Sequence, residues 1–198
     1  MMAGYNARSL LAPWVAVEAQ ATQALAGMSL DSRRVERGGV FLALSGSQGH
    51  GLDYLSGVLA AGVALVVWEP VAGLDAQAID TQCRCAGAQS VALPALSQHA
   101  SAIAARFYDY PGRQLRVIGV TGTDGKSSVA HYAAQLLEHL EGHSAVMGTL
   151  GWGRLDAINL SEHTTADPVS VQARLAELVA RGVRSVVMEV SSHALAQH

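Results

Sequence analysis

The segment with the clearest potential for ligand binding is Gly119–Ser128, which reads Gly-Val-Thr-Gly-Thr-Asp-Gly-Lys-Ser-Ser. Three glycines stand three residues apart, and a lysine follows the last of them. Glycines let a backbone aim several amide groups at one anion, because no side chain blocks the approach. The lysine can reach the outer phosphates, and the hydroxyl of Ser127 can bind Mg²⁺. The segment therefore predicts a loop that binds a nucleoside triphosphate.

The context of this segment supports the prediction. The strict phosphate-loop pattern, G-x-x-x-x-G-K-[ST], would place glycine where this chain has Val120, and a Gly-Lys-Ser turn alone also arises in ordinary loops. However, residues 115–120 are rich in β-branched residues, namely Val117, Ile118 and Val120, and residues 126–140 have the apolar spacing of an amphipathic helix. A strand, a glycine-rich turn and a helix N-terminus with its partial positive charge together favour phosphate binding.

A second set of chemical residues follows the hydrophobic run that begins at Val186. Glu189 stands near the predicted carboxyl end of this strand, where ligands gather in open α/β sheets. We therefore expect Glu189 to bind Mg²⁺ or to hold a water molecule beside the triphosphate, although a carboxylate here could instead cap a helix. Ser191 and His193 do not make a convincing nucleophile and base, because residues two apart seldom converge and no acid orients them.

A third segment, His163-Thr164-Thr165-Ala166-Asp167-Pro168, precedes a predicted helix. Its hydroxyl groups could hold an anionic substrate or cap the helix. By spacing alone the cap is favoured, with Asp167 at the N-cap and Pro168 at the first helical position.

The elements that must position these residues follow from hydrophobic periodicity and turn residues. We expect strands over 39–44, 64–69, 90–93, 115–120, 144–149 and 184–190, and helices over 54–61, 96–108, 126–140 and 169–181. Strands that alternate with helices predict parallel βαβ units. The turn-rich stretch Tyr108–Arg113 predicts a boundary between a domain of residues 1–110 and a domain of residues 111–198. The last predicted strand almost reaches the C-terminus, so we expect that strand to leave apolar surface uncovered.

Composition limits the classes of protein that fit. Half of the 198 residues are hydrophobic, only 5% are aromatic and 20 are glycine, which favours a layered α/β fold over a β-sandwich. The net charge of −3, without a basic stretch, argues against nucleic acid as a partner. No apolar run has the length of a membrane span and no export signal is evident, so we expect a cytoplasmic protein. Cys83 and Cys85 lack the second ligand pair of a zinc site and are interpreted as spare thiols.

The loop Gly119–Ser128 resembles the ATP loop of Mur ligases, whose usual form is G-x-T-G-T-N-G-K-T-[TS]. Further segments occur in the order of that family and cover essentially the whole chain. They narrow the resemblance to the branch that adds a diamino acid, the UDP-N-acetylmuramoyl-tripeptide synthetases. The segments are Leu11-Ala12-Pro13-Trp14, Leu30-Asp31-Ser32-Arg33, Gly38–Gly46, Arg106-Phe107-Tyr108, Val146–Gly151, His163-Thr164-Thr165 and Met188–Leu195.

The resemblance implies a ligase that uses ATP and Mg²⁺ to join meso-diaminopimelate or L-lysine to UDP-MurNAc-L-Ala-D-Glu through an acyl phosphate. The fold implied is α/β, with a small N-terminal α/β domain for UDP-MurNAc and then the first part of a central ATP domain with a parallel sheet. Lys126 and Glu189 would be catalytic, and Ser127 and Glu189 would bind the metal. ATP would be bound by Gly122, Thr123, Asp124, Gly125, Lys126, Ser127 and Ser128. Substrate contacts would be Leu30, Ser32, Ser47, Gln48 and Gly49 at the uridine nucleotide, and His163, Thr164, Thr165, Ser191 and Gln197 at the muramoyl peptide.

The chain also departs from the family pattern. Asp124 replaces the usual Asn and adds negative charge beside the phosphates, and His163 stands where relatives often carry Asn. A substrate-binding Arg, a carbamylated Lys, a D-H-L-D segment and the C-terminal domain would all follow His198. We therefore expect a monomeric fragment that is inactive alone.

The sequence is also compatible with two alternative functions. One is another member of the same superfamily, such as a different Mur ligase or a folylpolyglutamate synthetase, although residues 30–33 and 38–46 favour a UDP-sugar domain over the folate enzyme. The other is a non-catalytic nucleotide-binding module.

Overall fold

The computed structural model describes residues 4–17, 23–46, 49–160 and 166–191. The chain divides into two compact units, one that extends to Phe107 and one that begins at Tyr108. Within the described ranges, no helix has the length and hydrophobicity that crossing a membrane requires.

The N-terminal unit alternates short strands with helices. Its elements are α1 (Ala7–Leu11), β1 (Met28–Ser29), β2 (Val40–Ala43), β3 (Ser45–Gly46), β4 (Gly49–His50), α2 (Leu55–Ala60), β5 (Leu65–Trp68), α3 (Ala76–Cys85), β6 (Gln89–Ala92) and α4 (Leu96–Phe107). Four strands form a parallel sheet in the order β1-β2-β5-β6, and β3 pairs with β4 as an antiparallel hairpin. Every residue of β2 and β5 is buried, as expected for parallel strands that are covered on both faces.

The core of this unit includes a helix that the sequence analysis did not predict. Helix α3 buries only Ile79 and Cys83, so few apolar side chains mark its core-facing side in the sequence. Cys83 packs against the cluster that contains Phe41 and Trp68, and burial raises the pKa of its thiol to about 11. Cys83 is therefore a core side chain, whereas Cys85 is exposed.

The second unit is a sheet of five strands with helices on its faces. Its elements are β7 (Arg116–Val120), α5 (Lys126–Glu141), β8 (Ser144–Gly148), β9 (Gly151–Arg154), β10 (Ala157–Asn159), α6 (Pro168–Ala180) and β11 (Ser185–Glu189). The strand order is β10-β9-β8-β11-β7, in which β8, β11 and β7 are parallel, and β9 is antiparallel to both of its neighbours. Alternate residues of β8 face opposite layers: Met147 packs with Leu178 of α6, and Val146 packs with Ala130 of α5.

The comparison with the predicted elements is favourable. Every predicted strand and helix is present, and no end differs by more than one residue. The predicted α/β class and the parallel βαβ arrangement are confirmed. The short strands β1, β9 and β10 were not predicted, because none of them has the run of four apolar residues that marks β2 and β5.

The prediction that the last strand leaves apolar surface uncovered is wrong. Strand β11 lies between β8 and β7 and pairs with both. The order of parallel strands in space follows from the crossover helices and not from the order along the chain. The edge strands of this sheet are β10 and β7, and Val117 of β7 is exposed. Further exposed apolar side chains of this unit lie along α5, namely Val129, Tyr132, Leu136 and Leu140, and outside it, namely Leu150 and Leu160.

Candidate functional site

The predicted phosphate loop connects β7 to α5. Gly122 has φ +145° and Gly125 has φ +75°, values that other residues rarely adopt. This confirms that the backbone path of the loop depends on glycine. Gly125 is the N-cap of α5, which has neither a side-chain cap nor an acidic residue in its first turn. The first amide groups of a 16-residue helix therefore point toward the loop without a side-chain acceptor, an arrangement that suits an anion.

Lys126 is the first residue of α5, and its side chain folds back over the loop. Its Nζ donates hydrogen bonds to the carbonyl oxygens of Gly122 at 2.8 Å and Thr123 at 3.0 Å. The ammonium group is thus held where phosphate oxygens would meet the loop amides. Residues 121–125 are exposed, so a phosphate can reach this position.

Glu189 ends β11, the strand between β7 and β8, and therefore lies beside the phosphate loop. The hydroxyl of Ser127 donates to Glu189 Oε2 at 3.0 Å. These two residues are 62 positions apart in the chain, and the sheet order brings them together because the loop and Glu189 follow neighbouring parallel strands. The two proposed metal ligands thus form one site.

The donor chemistry of this pair fits Mg²⁺. Mg²⁺ prefers oxygen ligands and usually takes one or two protein side chains, with phosphates and water completing an octahedron. A carboxylate and a hydroxyl supply such a pair. Within the described ranges, no group of three or more His, Cys, Asp and Glu side chains is arranged to hold a metal ion.

Thr149 is a member of this site that sequence reasoning missed. It follows β8, and both its backbone N–H and its hydroxyl approach the carboxylate of Glu189, at 3.2 Å from Oε1 and Oε2 respectively. The available signal was a hydroxyl residue at the carboxyl end of the predicted strand 144–149, at the edge where parallel strands gather ligands.

The other predicted residues of this unit differ in their surroundings. Asp124 is exposed and forms no ion pair with any described residue. Thr123 and Ser128 are also exposed, and Ser191 is half-buried. Asp167 caps α6, because its side chain accepts from the N–H groups of Val169 and Ser170 at 3.0 Å each, as its spacing predicted. His163, Thr164, Thr165 and Gln197 lie outside the described residues.

In the N-terminal unit, the residues after β1 are organised around Asp31. Its side chain caps a short 3-10 helix, Ser32–Arg34, and accepts two further hydrogen bonds from the Arg33 guanidinium at 2.9 and 2.8 Å. These hydrogen bonds lower the pKa of Asp31 to about 2. Leu30 and Ser32, both half-buried, therefore flank an ordered turn at the carboxyl end of a parallel strand.

The β3–β4 hairpin lies at the carboxyl end of β2 and is tied down by His50. The ring accepts from Leu52 N–H at 3.0 Å through Nδ1 and bonds the Glu69 carbonyl at 2.8 Å through Nε2, so a neutral imidazole protonated at Nε2 satisfies both contacts. The Glu69 carboxylate accepts from Ser45 N–H at 3.2 Å. These bonds fix the hairpin that carries Gly49, whereas Ser47 and Gln48 lie outside the described residues.

Family models match both units. Residues 24–108 match the model described as Mur ligase family, catalytic domain, and residues 120–198 match the Mur ligase middle domain. Among curated proteins, the chain is 45% identical over 192 residues to the UDP-N-acetylmuramoyl-L-alanyl-D-glutamate–2,6-diaminopimelate ligase of Alkalilimnicola ehrlichii, covering 96% of this chain and 39% of that protein. It is 44% identical over 170 residues to the ligase of the same name from Ectopseudomonas mendocina, covering 86% of this chain and 34% of that protein. The chain thus spans well under half the length of these relatives.

Solved structures agree with this relationship. A structure of a UDP-N-acetylmuramoyl-L-alanyl-D-glutamate–2,6-diaminopimelate ligase matches with a TM-score of 0.74 at 30% identity, covering 100% of this chain and 37% of that one. MurF from Acinetobacter baumannii shares the fold at 19% identity, with a TM-score of 0.62 over 96% of this chain and 36% of the other. With family models on both units, close curated relatives and the same fold, the chain belongs to the Mur ligase family.

Proposed function

We propose that this chain supplies the ATP site and the UDP-MurNAc site of a ligase that adds a diamino acid to UDP-MurNAc-L-Ala-D-Glu. The observation that carries the proposal is the hydrogen bond between Ser127 and Glu189 at the mouth of the glycine loop, beside the Lys126 ammonium. The names of the two curated relatives from Alkalilimnicola ehrlichii and Ectopseudomonas mendocina favour 2,6-diaminopimelate over L-lysine as the amino acid.

The reaction begins when a carboxylate oxygen of the substrate attacks the γ-phosphorus of ATP and the bond to the bridging oxygen of ADP breaks. Negative charge then moves toward ADP. The loop amides and the Lys126 ammonium are positioned to stabilise this charge, once the ammonium exchanges its two carbonyl acceptors for phosphate oxygens. Mg²⁺, held by Ser127 and Glu189, would neutralise further charge on the phosphates. The amine of the diamino acid then attacks the acyl carbon, loses a proton and displaces phosphate.

The substrate contacts proposed for the N-terminal unit are Leu30, Ser32, Ser47, Gln48 and Gly49. Support comes from the turn that Asp31 caps and from the hairpin that His50 fixes, because both present backbone at the carboxyl ends of parallel strands. For the muramoyl peptide, the proposed contacts are His163, Thr164, Thr165, Ser191 and Gln197. We also expect the protein to be a cytoplasmic monomer. We expect no binding to nucleic acid, because the net charge is −3.

The experiment that tests the ATP site uses the fact that Lys126 is the only lysine among the 198 residues. An amine-reactive acetylating reagent should therefore modify just Lys126 and the α-amine, and each product can be read by mass spectrometry of peptides. We expect Mg²⁺·ATP to protect Lys126 while the α-amine, an internal control, reacts at an unchanged rate. Equal acetylation of Lys126 with and without nucleotide would refute the ATP site.

A further inference from the structure

The segment that follows β8 contacts the Glu189 carboxylate more extensively than the phosphate loop does. Thr149 donates its backbone N–H to Oε1 and its hydroxyl to Oε2, both at 3.2 Å. The loop supplies one contact, from the Ser127 hydroxyl to Oε2 at 3.0 Å. Both carboxylate oxygens are thus held from the side of β8, and Oε2 is shared with the loop.

Gly148 makes room for this arrangement. A Cβ atom at position 148 would lie 2.1 Å from Glu189 Oε1 and 2.5 Å from its Cδ, distances at which one of the groups must move. The backbone at Gly148 does not have a positive φ, so glycine is required here by the carboxylate and not by the conformation of the chain. Any side chain at this position would push the Glu189 carboxylate out of its contacts with Thr149.

We propose that Gly148 and Thr149 together form a carboxylate seat, a pair of positioning residues that fixes Glu189 toward Ser127 before a divalent cation binds. The inference rests on the proposed function, because it concerns the same cation and triphosphate. A glutamate side chain has many rotamers and loses much conformational entropy when it is held in one of them. Two hydrogen bonds from one residue fix the plane of the carboxylate and so lower the entropic cost of metal binding.

The test measures ADP affinity by titration calorimetry with 5 mM Mg²⁺ and with EDTA, on the 198-residue chain. The ratio of the two affinities isolates the contribution of the metal. Thr149→Val keeps the shape of the side chain but removes the hydroxyl, and Thr149→Ser keeps the hydroxyl. Gly148→Ala fills the space that the carboxylate occupies. Matched controls in the N-terminal unit are Thr81→Val and Gly57→Ala, both at exposed positions on helices.

We expect Thr149→Val to lower the Mg²⁺-dependent ratio about tenfold, the loss typical of one hydrogen bond to a charged group. Metal-free ADP affinity should be unchanged, and Thr149→Ser should restore the wild-type ratio. Gly148→Ala should lower the ratio at least as far, because it displaces both oxygens. The two controls should behave as the wild type. Thermal unfolding of each variant identifies any general loss of structure, which would lower both affinities together.

Three results would overturn the proposal. The first is a wild-type ratio in Thr149→Val, and the second is an equal loss in Thr149→Val and Thr149→Ser, since either removes the role of the hydroxyl. The third is an unchanged ratio in Gly148→Ala. If the wild-type chain binds ADP with no dependence on Mg²⁺, the seat and the proposed metal site both fail. If it binds with that dependence and only the variants disagree, the seat alone fails.

Discussion

Replacing Lys126 with alanine should weaken nucleotide binding and leave the fold intact. The ammonium forms two hydrogen bonds with loop carbonyls, at 2.8 and 3.0 Å, and makes no ion pair with a described residue. Its removal therefore leaves no unpaired charge behind. Because the loop carbonyls are exposed to water, they can be hydrated in the variant, and the free energy of unfolding should change by less than about 0.5 kcal/mol.

The expected loss of affinity follows from the surroundings of the ammonium. Removing a charged hydrogen-bond partner from a desolvated site costs about 2–4 kcal/mol. Lys126 is half-buried, and the adjoining residues 121–125 are exposed, so the lower end of that range applies. In the free chain, the ammonium must also give up two carbonyl acceptors before it binds phosphate, which offsets part of the gain. We therefore expect about 2 kcal/mol, or roughly a 30-fold weaker Kd for ADP.

Titration calorimetry with ADP and Mg²⁺ measures this change, with Lys126→Arg as the variant that keeps the charge. Arginine should recover part of the affinity, because it keeps the positive charge but its planar group cannot reproduce the position of an ammonium. Salt dependence provides a second check, since the loss should shrink as ionic strength rises. An unchanged Kd in Lys126→Ala would show that the phosphates bind elsewhere and would refute the assignment of this loop.

Three further predictions concern the charge of Asp124, the stability of the fold at low pH, and the activity and hydrogen exchange of the 198-residue chain. Asp124→Asn should tighten ADP binding measured without metal, because an exposed carboxylate in the loop repels phosphate. Calorimetry in EDTA measures this change, and an unchanged Kd would show that the side chain points away from the nucleotide. The Arg33 contacts lower the pKa of Asp31 to about 2 from 3.8, so they stabilise the fold above about pH 4 and lose that effect as the pH falls toward 2. Asp31→Asn should thus be less stable than the wild type at pH 6, and this difference should be clearly smaller at pH 2.5, where the carboxyl begins to be protonated in the folded chain. An equal difference at both pH values in urea unfolding would contradict this. The 198-residue chain spans well under half the length of its relatives, so we expect no phosphate release above background with ATP, the UDP-MurNAc dipeptide and diaminopimelate; measurable turnover would contradict this. Hydrogen exchange should be faster in the edge strand β7 than in β11, which is paired on both sides, and equal protection of the two strands would contradict this.

The local elements of this protein could be predicted from its amino-acid sequence alone. Strand positions followed from short apolar runs bounded by turn residues, and helix positions from the 3.6-residue apolar period; both signals depend on neighbouring residues only. The glycines of the phosphate loop and the Asp167 cap could be predicted for the same reason, because positive φ and side-chain capping are decided within one turn. Where the local signal was weak, as in α3 with its two buried side chains, the prediction failed.

The order of the strands, and with it the composition of the candidate site, depends on how the whole chain folds and could not be predicted from the sequence. The crossover helices insert β11 between β7 and β8, although β11 is the last of the three in the chain. That insertion brings the Glu189 carboxylate to Ser127 on one side and to Thr149 on the other. Sequence motifs could nominate Ser127 and Glu189 separately, and their metal-binding role stays a prediction. The sequence shows only a weak signal for Thr149, a hydroxyl at the end of a predicted strand, because its contact with Glu189 across 40 residues depends on which strands become neighbours.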